Sequence, residues 1–434
     1  MAQTLDTRDS DFEARFEALL GMKRESSADV NEAVAKIIAA VRTRGDAALI
    51  EFTKQFDQLD LAETGIAVTD EDIQAAHAAV DEETVAALKL AYARILDHHK
   101  RQLPQDDSYT DEAGVELGQR WTPVASAGLY VPGGTASYPS SVLMNAIPAK
   151  VAGVTRLVMV VPSPRGELNP LVLVAAALAG VDEIYRVGGA QAVAALAYGT
   201  KTIAPVAKIV GPGNAYVAAA KRQVFGQVGI DMIAGPSEVV VIADNENDPA
   251  WIASDLLAQA EHDAAAQSIL ITDDVAFADA VTQAVESQLK TLPRAKTARA
   301  SWEEFGAIIL VRSLGEAPAI ANRLAPEHLE IATENADALA GEITDAGAIF
   351  IGRYTPEVIG DYVAGTNHVL PTARSARFAS GLGVLDFMKR TSLLKLDAES
   401  LKRLGPAAMT LARAEGLDAH RRSVAIRLNL PDET

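Results

Sequence analysis

Short apolar runs that alternate with helical stretches are the feature that most constrains how this chain can fold. From about residue 121 onward, uninterrupted runs of Val, Ile, Leu and Met recur between segments with helical spacing. Such runs are typical of parallel strands covered on both faces, because a strand with one face in water alternates apolar and polar residues. We therefore predict an α/β fold with right-handed crossovers. The candidate strands are 128–131, 157–161, 183–187, 208–210, 239–243, 269–272, 307–311, 329–333 and 348–351.

The pattern of apolar and charged residues changes along the chain and divides it into zones. Apolar residues around 30–56 and 72–99 recur at spacings of three and four, which predicts amphipathic helices. A second change, near Gly235-Pro236, predicts two incomplete doubly wound, Rossmann-like units of parallel sheet. The predicted zones are a helical N-terminal segment (1–120) that packs on the second α/β unit, a first α/β unit (121–236), a second α/β unit (237–379) and a helical C-terminal arm (380–434).

The C-terminal arm is basic although the whole chain is acidic. Residues 389–427 contain nine Lys and Arg and four Asp and Glu, a net charge of +5. A basic segment on an acidic protein can dock on the protein's own body or on a second copy. The alternative is a pair of ordinary solvated helices, and the residues leave both open.

Charge and composition exclude several classes of protein. The 434 residues include 39 Lys and Arg against 58 Asp and Glu, which gives a formal charge of −19. This balance argues against a nucleic-acid partner and against docking on anionic lipid, since both need a cationic face. Without cysteine, no disulfide, thiolate nucleophile or cysteine metal site is available. The N-terminus shows no secretory signal and the longest apolar stretch, 171–181, is too short to span a bilayer, so we expect a cytoplasmic protein.

Glycine-rich turns recur in the middle of the chain. Three of them, at 188–191, 211–214 and 235–237, are predicted to join a strand to a helix, and a fourth, at 130–135, follows a strand. Such turns gather at the carboxyl edge of a parallel sheet, where backbone N–H groups can bind phosphate. The dinucleotide fingerprint is incomplete, because Tyr216 stands at the position of the third glycine. The residues leave two alternatives open: the turns bind a nucleotide or phosphate, or they are ordinary loops.

Seven histidines and their polar neighbours are the candidates for chemistry. His77, His98 and His99 lie beside charged stretches and are predicted to be on the surface. On the apolar helix predicted at 249–263, Asp255, Gln259 and His262 form one polar stripe. The stripe is either an internal network or the wall of a site. Gln259 and His262 can reach one metal ion, although glutamine is an uncommon zinc ligand.

Further polar residues stand at turns in the second half of the chain. Glu327 and His328 offer two bases of different intrinsic pKa, and both face one cleft only if they stand in a turn. The alternative is an exposed helix-capping turn. Asp361 ends a short helix that begins at Pro356. With His420 it would complete a nitrogen and oxygen shell for zinc or manganese, but the sequence alone does not bring these residues together.

Seven segments in order along the chain resemble the histidinol dehydrogenase family. The resemblance covers nearly the whole chain and shows no departure at a position expected to be functional. The segments are GLYVPGGTASYPSS (128–141), GPGNAYV (211–217), AGPSE (234–238), QAEHD (259–263), APEHL (325–329), DYVAGTNHVLPT (361–372) and EGLDAH (415–420).

The resemblance implies an NAD-dependent oxidoreductase of histidine biosynthesis. L-Histidinol would be oxidised through L-histidinaldehyde to L-histidine, with two NAD+ reduced, because each NAD+ accepts only two of the four electrons. The unit at 121–236 would hold the cofactor, and its contacts would fall on Tyr130, Gln191 and Asn214. The unit at 237–379 would be the catalytic and metal unit.

The same resemblance implies the residues that hold metal and substrate. One zinc per subunit, replaceable by manganese, would orient the substrate. Its ligands, which also contact the substrate, would be Gln259, His262, Asp361 and His420. His328 would be the base that removes the alcohol proton, in contact with substrate, and Glu327 would activate water for attack on the aldehyde. Ser237, His368 and Glu415 would line the substrate pocket. The C-terminal arm would cross to a second subunit, so the resemblance implies a homodimer with shared sites.

Three alternatives use the same residues differently. A zinc hydrolase would use the same metal ligands with Glu327 as general base, but it would have no use for the glycine turns. A non-catalytic nucleotide-binding protein would keep the turns and leave Glu327 and His328 idle. A related dehydrogenase would act on a different amino alcohol or on a sulfonated diol.

Overall fold

The computed structural model describes residues 2–22, 28–133 and 138–431, so Gly134 and Thr135 of the turn predicted at 130–135 lie outside the described residues. Along the described residues the strands are β1 (Gln3–Asp6), β2 (Asp107–Thr110), β3 (Glu116–Pro123), β4 (Ser126–Tyr130), β5 (Arg156–Val160), β6 (Glu183–Tyr185), β7 (Lys208–Val210), β8 (Gly229–Ile230), β9 (Glu238–Ala243), β10 (Gln267–Thr272), β11 (Ala307–Leu310), β12 (His328–Ala332), β13 (Ala348–Ile351) and β14 (Met388–Lys395).

The α-helices of the described residues surround these strands. They are α1 (Phe12–Leu20), α2 (Ala28–Arg44), α3 (Asp46–Phe56), α4 (Leu61–Thr64), α5 (Asp70–Ala79), α6 (Glu82–Lys100), α7 (Pro139–Ala152), α8 (Pro170–Ala179), α9 (Gly189–Tyr198), α10 (Ala215–Val224), α11 (Pro249–Ala260), α12 (Val275–Gln288), α13 (Ala295–Glu304), α14 (Ala317–Leu324), α15 (Ala336–Ala340), α16 (Glu357–Tyr362), α17 (Ala398–Ala414) and α18 (Asp418–Arg427).

Two parallel sheets form the framework of the larger of two compact units, which comprises the chain up to Gln102 and Ala125–Phe387. Sheet I has the strand order β6-β5-β4-β7-β8, and sheet II has the order β1-β11-β10-β9-β12-β13. Every pair in both sheets is parallel. The strand order reverses beside β4 in sheet I and beside β9 in sheet II, as in doubly wound folds. The predicted α/β class with two incomplete Rossmann-like sheets is confirmed, and all nine predicted strands lie within two residues of their observed bounds.

The central strands are buried on both faces, which explains their uninterrupted apolar sequences. All six residues of β9 are buried. Val239 and Val241 pack with helices on one face of sheet II, in a cluster that includes Leu256 and Trp302. Val240 and Ile242, of the opposite parity, belong to the cluster on the other face, where Phe16 and Leu5 also lie. Successive side chains of a strand point to opposite faces, so this strand is apolar at every position after Glu238.

The N-terminal segment differs from its predicted form. Each of the two segments with helical periodicity contains two helices: α2 and α3 lie across 30–56, and α5 and α6 lie across 72–99. Gly45, with φ +54, separates α2 from α3. Near the N-terminus, Gln3–Asp6 form β1, which pairs with β11 at the edge of sheet II. We expected the whole segment to pack on the second α/β unit. Instead α2 packs on α9 and α10, α5 on α8, and α6 on α7, all around sheet I, whereas β1 and α1 belong to sheet II.

The smaller compact unit consists of Leu103–Val124 and the chain from Met388 onward. It contains an antiparallel sheet with the order β14-β3-β2. The helices α17 and α18 pack on each other in the same unit. The predicted C-terminal arm is therefore helical after a first stretch that forms β14.

No helix in the described ranges is both long enough and apolar enough to cross a membrane.

From the buried position of β1 we predict that this strand contributes measurably to the free energy of unfolding. Leu5 of β1 is fully buried, whereas Leu90 of α6 is 56% exposed. Leu5→Ala should lower the free energy of unfolding by about 2–5 kcal/mol, because it removes apolar contacts and leaves a cavity. Leu90→Ala, the matched control, should change it by less than about 0.5 kcal/mol. Urea unfolding followed by circular dichroism measures both values, and equal values would contradict the observed docking of β1.

Candidate active site

A cavity of about 970 Å³ lies where the carboxyl edge of sheet I meets the amino edge of sheet II. On the sheet I side it is lined by residues just after β4 and β7, among them Tyr130, Pro132, Pro212, Gly213 and Asn214. On the other side it is lined by Ser237, Gln259, His262, Glu327, His328, Glu357, Asp361 and His368. The turn predicted at 235–237 leads into strand β9 and not into a helix, so its predicted strand–turn–helix order is wrong. The reason is that the turn is the entry to sheet II.

The backbone of Glu238, the first residue of β9, holds Glu327 and His328 in place. Its N–H donates to Glu327 Oε2 over 3.0 Å. Its carbonyl lies 3.0 Å from His328 Nδ1. Since a carbonyl can only accept, Nδ1 carries a proton and donates it, so Nε2 is the nitrogen at which the ring gains or loses its second proton. A single residue of the central strand therefore orients both side chains.

Glu327 and His328 are buried and stand at the start of β12. The preceding Ala325 has φ +46, a left-handed conformation in a residue other than glycine, and it ends α14. Glu327 therefore lies in a turn, and both side chains line the cavity. Only 6% of Glu327 and 4% of His328 is exposed, so the alternative of an exposed capping turn is wrong.

Burial and neighbouring charges shift the pKa values of this pair. Burial raises the pKa of Glu327 to about 7, although the charge of His328 acts in the opposite direction. For His328, burial alone would lower the pKa. The surrounding carboxylates outweigh burial, Glu357 most strongly, and raise the pKa of His328 well above its ordinary value. Glu327 can therefore exchange a proton near neutral pH, whereas the surrounding carboxylates favour the protonated form of His328.

Glu357 is a cavity residue that the sequence did not reveal. It is the first residue of α16, four positions before Asp361, and its Oε1 lies 3.8 Å from His328 Nδ1. Burial raises the pKa of Glu357 to about 8. Its N–H donates to Glu330 Oε1 over 2.6 Å. The only available signal was the spacing of Glu357 and Asp361, which places two carboxylates on one side of a helix.

Asp255 belongs to a network behind the cavity and not to the cavity wall. Burial raises its pKa to about 6, and it interacts with the Glu330 side chain. Burial, followed by the charge of Asp255, raises the pKa of Glu330 well above its ordinary value. The predicted polar stripe therefore divides: Asp255 faces a buried carboxyl partner, and Gln259 and His262 line the cavity.

Three cavity side chains have the chemistry of a zinc site. Gln259 is buried in the last turn of α11, a helix that Asp248 caps and Pro249 begins. His262 follows at the cavity rim, two residues after the observed end of that helix. Within the described residues, Gln259 Oε1 and Asp361 Oδ1 are buried without a hydrogen-bond partner. Buried polar atoms rarely lack partners, so these oxygens fit a cation, and the set of nitrogen and oxygen donors suits zinc or manganese.

A second trio of ligand-type atoms overlaps this set. Atoms of His328, Glu357 and Asp361 lie within 4.8 Å of one another. His328 Nε2 is 3.6 Å from Asp361 Oδ1. Burial alone would raise the pKa of Asp361, but the interaction with His328 outweighs burial and holds that pKa below its ordinary value. Asp361 is thus available either to a metal held with Gln259 or to His328.

His368 lines the cavity with both ring nitrogens engaged. Nδ1 lies 3.0 Å from the Asp361 carbonyl, and Nε2 lies 3.2 Å from Ser141 Oγ in α7. The carbonyl requires a proton on Nδ1, so Nε2 accepts from the hydroxyl and the ring is neutral. Burial lowers the pKa of His368, in agreement with a neutral ring. The ring therefore connects α7 to the segment that carries Asp361.

The prediction that His99 lies on the surface is wrong. His99 is fully buried, and its Nδ1 lies 2.7 Å from the Ile95 carbonyl. Its Nε2 faces Asn367 Nδ2 at 3.4 Å. The charged neighbours of His99 occupy the other face of α6, so they do not indicate the environment of His99 itself. His77 is exposed and His98 is half-buried.

The predicted cofactor residues lie at adjoining turns of sheet I. Tyr130 ends β4, and its hydroxyl accepts a 3.0 Å hydrogen bond from the Gly189 N–H. Burial raises the pKa of Tyr130 to about 12, so the phenol stays neutral. Asn214 caps α10 through its side-chain carbonyl, and it lines the cavity. Gln191 is buried in the first turn of α9 and is not one of the described residues that line the cavity.

The remaining predicted site residues lie in different parts of the chain. Ser237 lines the cavity directly before β9. Glu415 and His420 belong to the smaller unit, at the end of α17 and in α18. Both are exposed. Five of the predicted metal and catalytic residues, Gln259, His262, Glu327, His328 and Asp361, thus share one cavity wall.

The fold and this cavity define an α/β enzyme equipped for acid–base chemistry. A sequence model of the histidinol dehydrogenase family matches residues 21–428. The chain is 69% identical to the histidinol dehydrogenase of Rhizobium meliloti (strain 1021) over 433 residues, which is 100% of both chains. It is 69% identical over 430 residues to that of Brucella suis, 99% of this chain and 100% of the relative. A crystal structure of histidinol dehydrogenase from Elizabethkingia anophelis is 37% identical, with a TM-score of 0.94 over 99% of this chain and 98% of that one.

The chain therefore belongs to the histidinol dehydrogenase family, which makes it a dehydrogenase.

Proposed function

We propose that this protein is an NAD+-dependent histidinol dehydrogenase. It would oxidise L-histidinol through L-histidinaldehyde to L-histidine, reducing two NAD+, as the last steps of histidine biosynthesis. The observation that carries the proposal is the single cavity in which Glu327, His328, Gln259 and Asp361 face Tyr130 and the 211–214 turn. Family membership supports the substrate. A zinc hydrolase would need only the side of the cavity that carries the metal-ligand and carboxylate residues. The glycine turns on the opposite side therefore favour a dehydrogenase.

The two bound groups would have distinct sites. NAD+ would contact Tyr130, Gln191 and Asn214. One zinc ion per subunit, replaceable by manganese, would be held by Gln259, His262, Asp361 and His420. When bound, NAD+ supplies the electron acceptor for each oxidation, and zinc supplies a Lewis-acidic anchor for the nitrogen atoms of the substrate.

The side chains of the cavity would carry the proton chemistry. Held at Nδ1 by the Glu238 carbonyl, His328 in its neutral form would take the hydroxyl proton of histidinol at Nε2 as the alcohol becomes the aldehyde. Glu327, oriented by the Glu238 N–H, would take a proton from the water that attacks the aldehyde carbon in the second half-reaction. Ser237, His368 and Glu415 would line the substrate pocket, with His368 holding the Asp361 backbone.

The homodimer and the cytoplasmic location complete the proposal. Glu415 and His420 lie on the basic arm and are exposed, as residues that act on a second copy would be in a single chain. The site would then be shared between subunits. Nucleic acid and membrane are not proposed as partners, in keeping with the formal charge of −19.

The overall reaction is tested by its stoichiometry. With histidinol as substrate, the protein should form two NADH per histidine released, because an alcohol loses four electrons on becoming a carboxylate. Absorbance at the NADH band and chromatography of histidine measure the two amounts. A protein that forms no NADH, or one that reduces NAD+ only with another amino alcohol, would contradict the proposal.

The roles of Glu327 and His328 predict separable half-reactions. Glu327→Gln should lower aldehyde oxidation at least about 100-fold and spare alcohol oxidation, since only the second step needs activated water. The Glu327 carboxylate is the active form and predominates above its pKa of about 7, so aldehyde oxidation by the unmodified protein should fall as pH decreases through about 7. His328→Gln should lower the rate of the first half-reaction, alcohol oxidation. Assays started from histidinol and from histidinaldehyde measure the steps, and equal losses in both steps for both variants would contradict these roles.

The metal site predicts a specific pattern of zinc content. Gln259→Ala should lose zinc, and Glu357→Gln should keep it, if the ion is held with Gln259 and not by the trio of His328, Glu357 and Asp361. Asp361→Asn should lose zinc in either case. Mass spectrometry of the elements gives zinc per chain. Chelation should abolish turnover and added zinc or manganese should restore it, whereas full activity of a metal-free preparation would contradict the ligand set.

A further inference from the structure

A buried ion pair lies beneath the 211–214 turn. Lys221, in α10, and Asp231, directly after β8, form a salt bridge in which their side chains are 2% and 1% exposed. Removing two charges from water is costly, and a well-packed apolar pair often stabilises a fold at least as well. Stability alone therefore gives no reason for charges at these positions.

Both members of the pair also bind Gly211, the first residue of the turn. Asp231 Oδ2 accepts from the Gly211 N–H over 2.7 Å. Lys221 Nζ donates to the Gly211 carbonyl over 2.9 Å. The salt bridge between the two side chains closes a ring around this residue. The polar groups on both sides of the Gly211 Cα are thus fixed, and with them the local direction of the chain.

The conformation held in this way is one that other residues do not adopt readily. Gly211 has φ +109, and a Cβ at this position would lie 2.2 Å from the Tyr130 carbonyl oxygen. Close contact with Tyr130 is therefore possible only for glycine. The turn continues through Pro212 and Gly213 to Asn214, and all three line the cavity.

We propose that Lys221 and Asp231 are positioning residues that preorganise the 211–214 turn for the cofactor. The assignment rests on the proposed function, because it takes NAD+ as the ligand of this turn. Neither side chain is among the described residues that line the cavity, so the pair acts through Gly211. A turn that is already ordered pays no ordering cost when the ligand binds. The pair therefore governs affinity for NAD+, and the chemistry at Glu327 and His328 does not depend on it.

The experiment compares a single and a double variant of the full-length protein. Lys221→Met leaves the Asp231 charge buried without its partner, and it should lower the melting temperature and weaken NAD+ binding. Lys221→Met/Asp231→Leu removes both charges, and it should recover most of the melting temperature. The double variant should still bind NAD+ about tenfold more weakly, a factor that corresponds to about 1.4 kcal/mol, because the bonds to Gly211 remain absent. Its kcat at saturating NAD+, its KM for histidinol and its zinc content should stay within about twofold of the unmodified protein, the margin that distinguishes this effect from general disruption.

Lys208 provides a matched control. It lies on β7, three residues before Gly211, and its Nζ pairs with Asp386 Oδ1 at 3.4 Å. Lys208→Met removes an ion pair from the strand that leads into Gly211 and should leave the Kd for NAD+ unchanged. Calorimetric titration with NAD+ gives the Kd of each protein independently of turnover.

Two results would overturn the inference. If the double variant binds NAD+ as tightly as the unmodified protein, or if its KM for histidinol and its kcat change as much as its Kd, the pair has a structural role only. If the unmodified protein itself does not bind NAD+, the proposed function fails and the inference fails with it. Binding by the unmodified protein together with unchanged variants overturns the inference alone.

Discussion

The two hydrogen bonds of the Glu238 backbone are the interaction on which the rest of the site depends. One bond holds the carboxylate of Glu327, and the other fixes a proton on His328 Nδ1, so that Nε2 is the nitrogen that gains or loses a proton. Glu238 begins the central, fully buried strand of sheet II. The acid–base pair is therefore held by the most protected part of the sheet, and its geometry does not rely on long side chains or on surface loops. Proton transfer near neutral pH also requires a suitable pKa, and burial raises the pKa of Glu327 to about 7.

The sequence predicted the strands that are continuous apolar runs, most of which are buried, and missed the others. A buried strand such as β9 is apolar at every position after its first residue, Glu238, and this run is a signal that depends on no partner. The strands β1, β2 and β14 leave no such signal, because they are short or exposed, and β1 and β14 also pair with segments far away along the chain. Their hydrogen bonds are formed by backbone groups that every residue possesses. Tertiary pairing, and not local preference, decides these regions.

Cavity side chains of a reactive type were easier to predict than the groups that position them. Resemblance to a known family implied Gln259, His262 and Asp361, and the structure brings all three to one cavity. Glu238 acts through its backbone, which has no sequence signature, and Glu357 stands near His328 only through the contact of α16 with sheet II. His99 was misassigned for a related reason: its burial depends on where α6 packs, which the charges around it do not report.

The opposed edges of the two sheets have an evolutionary consequence. The turns of sheet I would recognise the electron carrier, and the amino edge of sheet II would recognise the molecule that is oxidised. The two recognition surfaces are encoded by separate stretches of chain, so mutations that alter one need not damage the other. A lineage with this scaffold can change the metabolite that it consumes while it inherits its electron carrier unaltered.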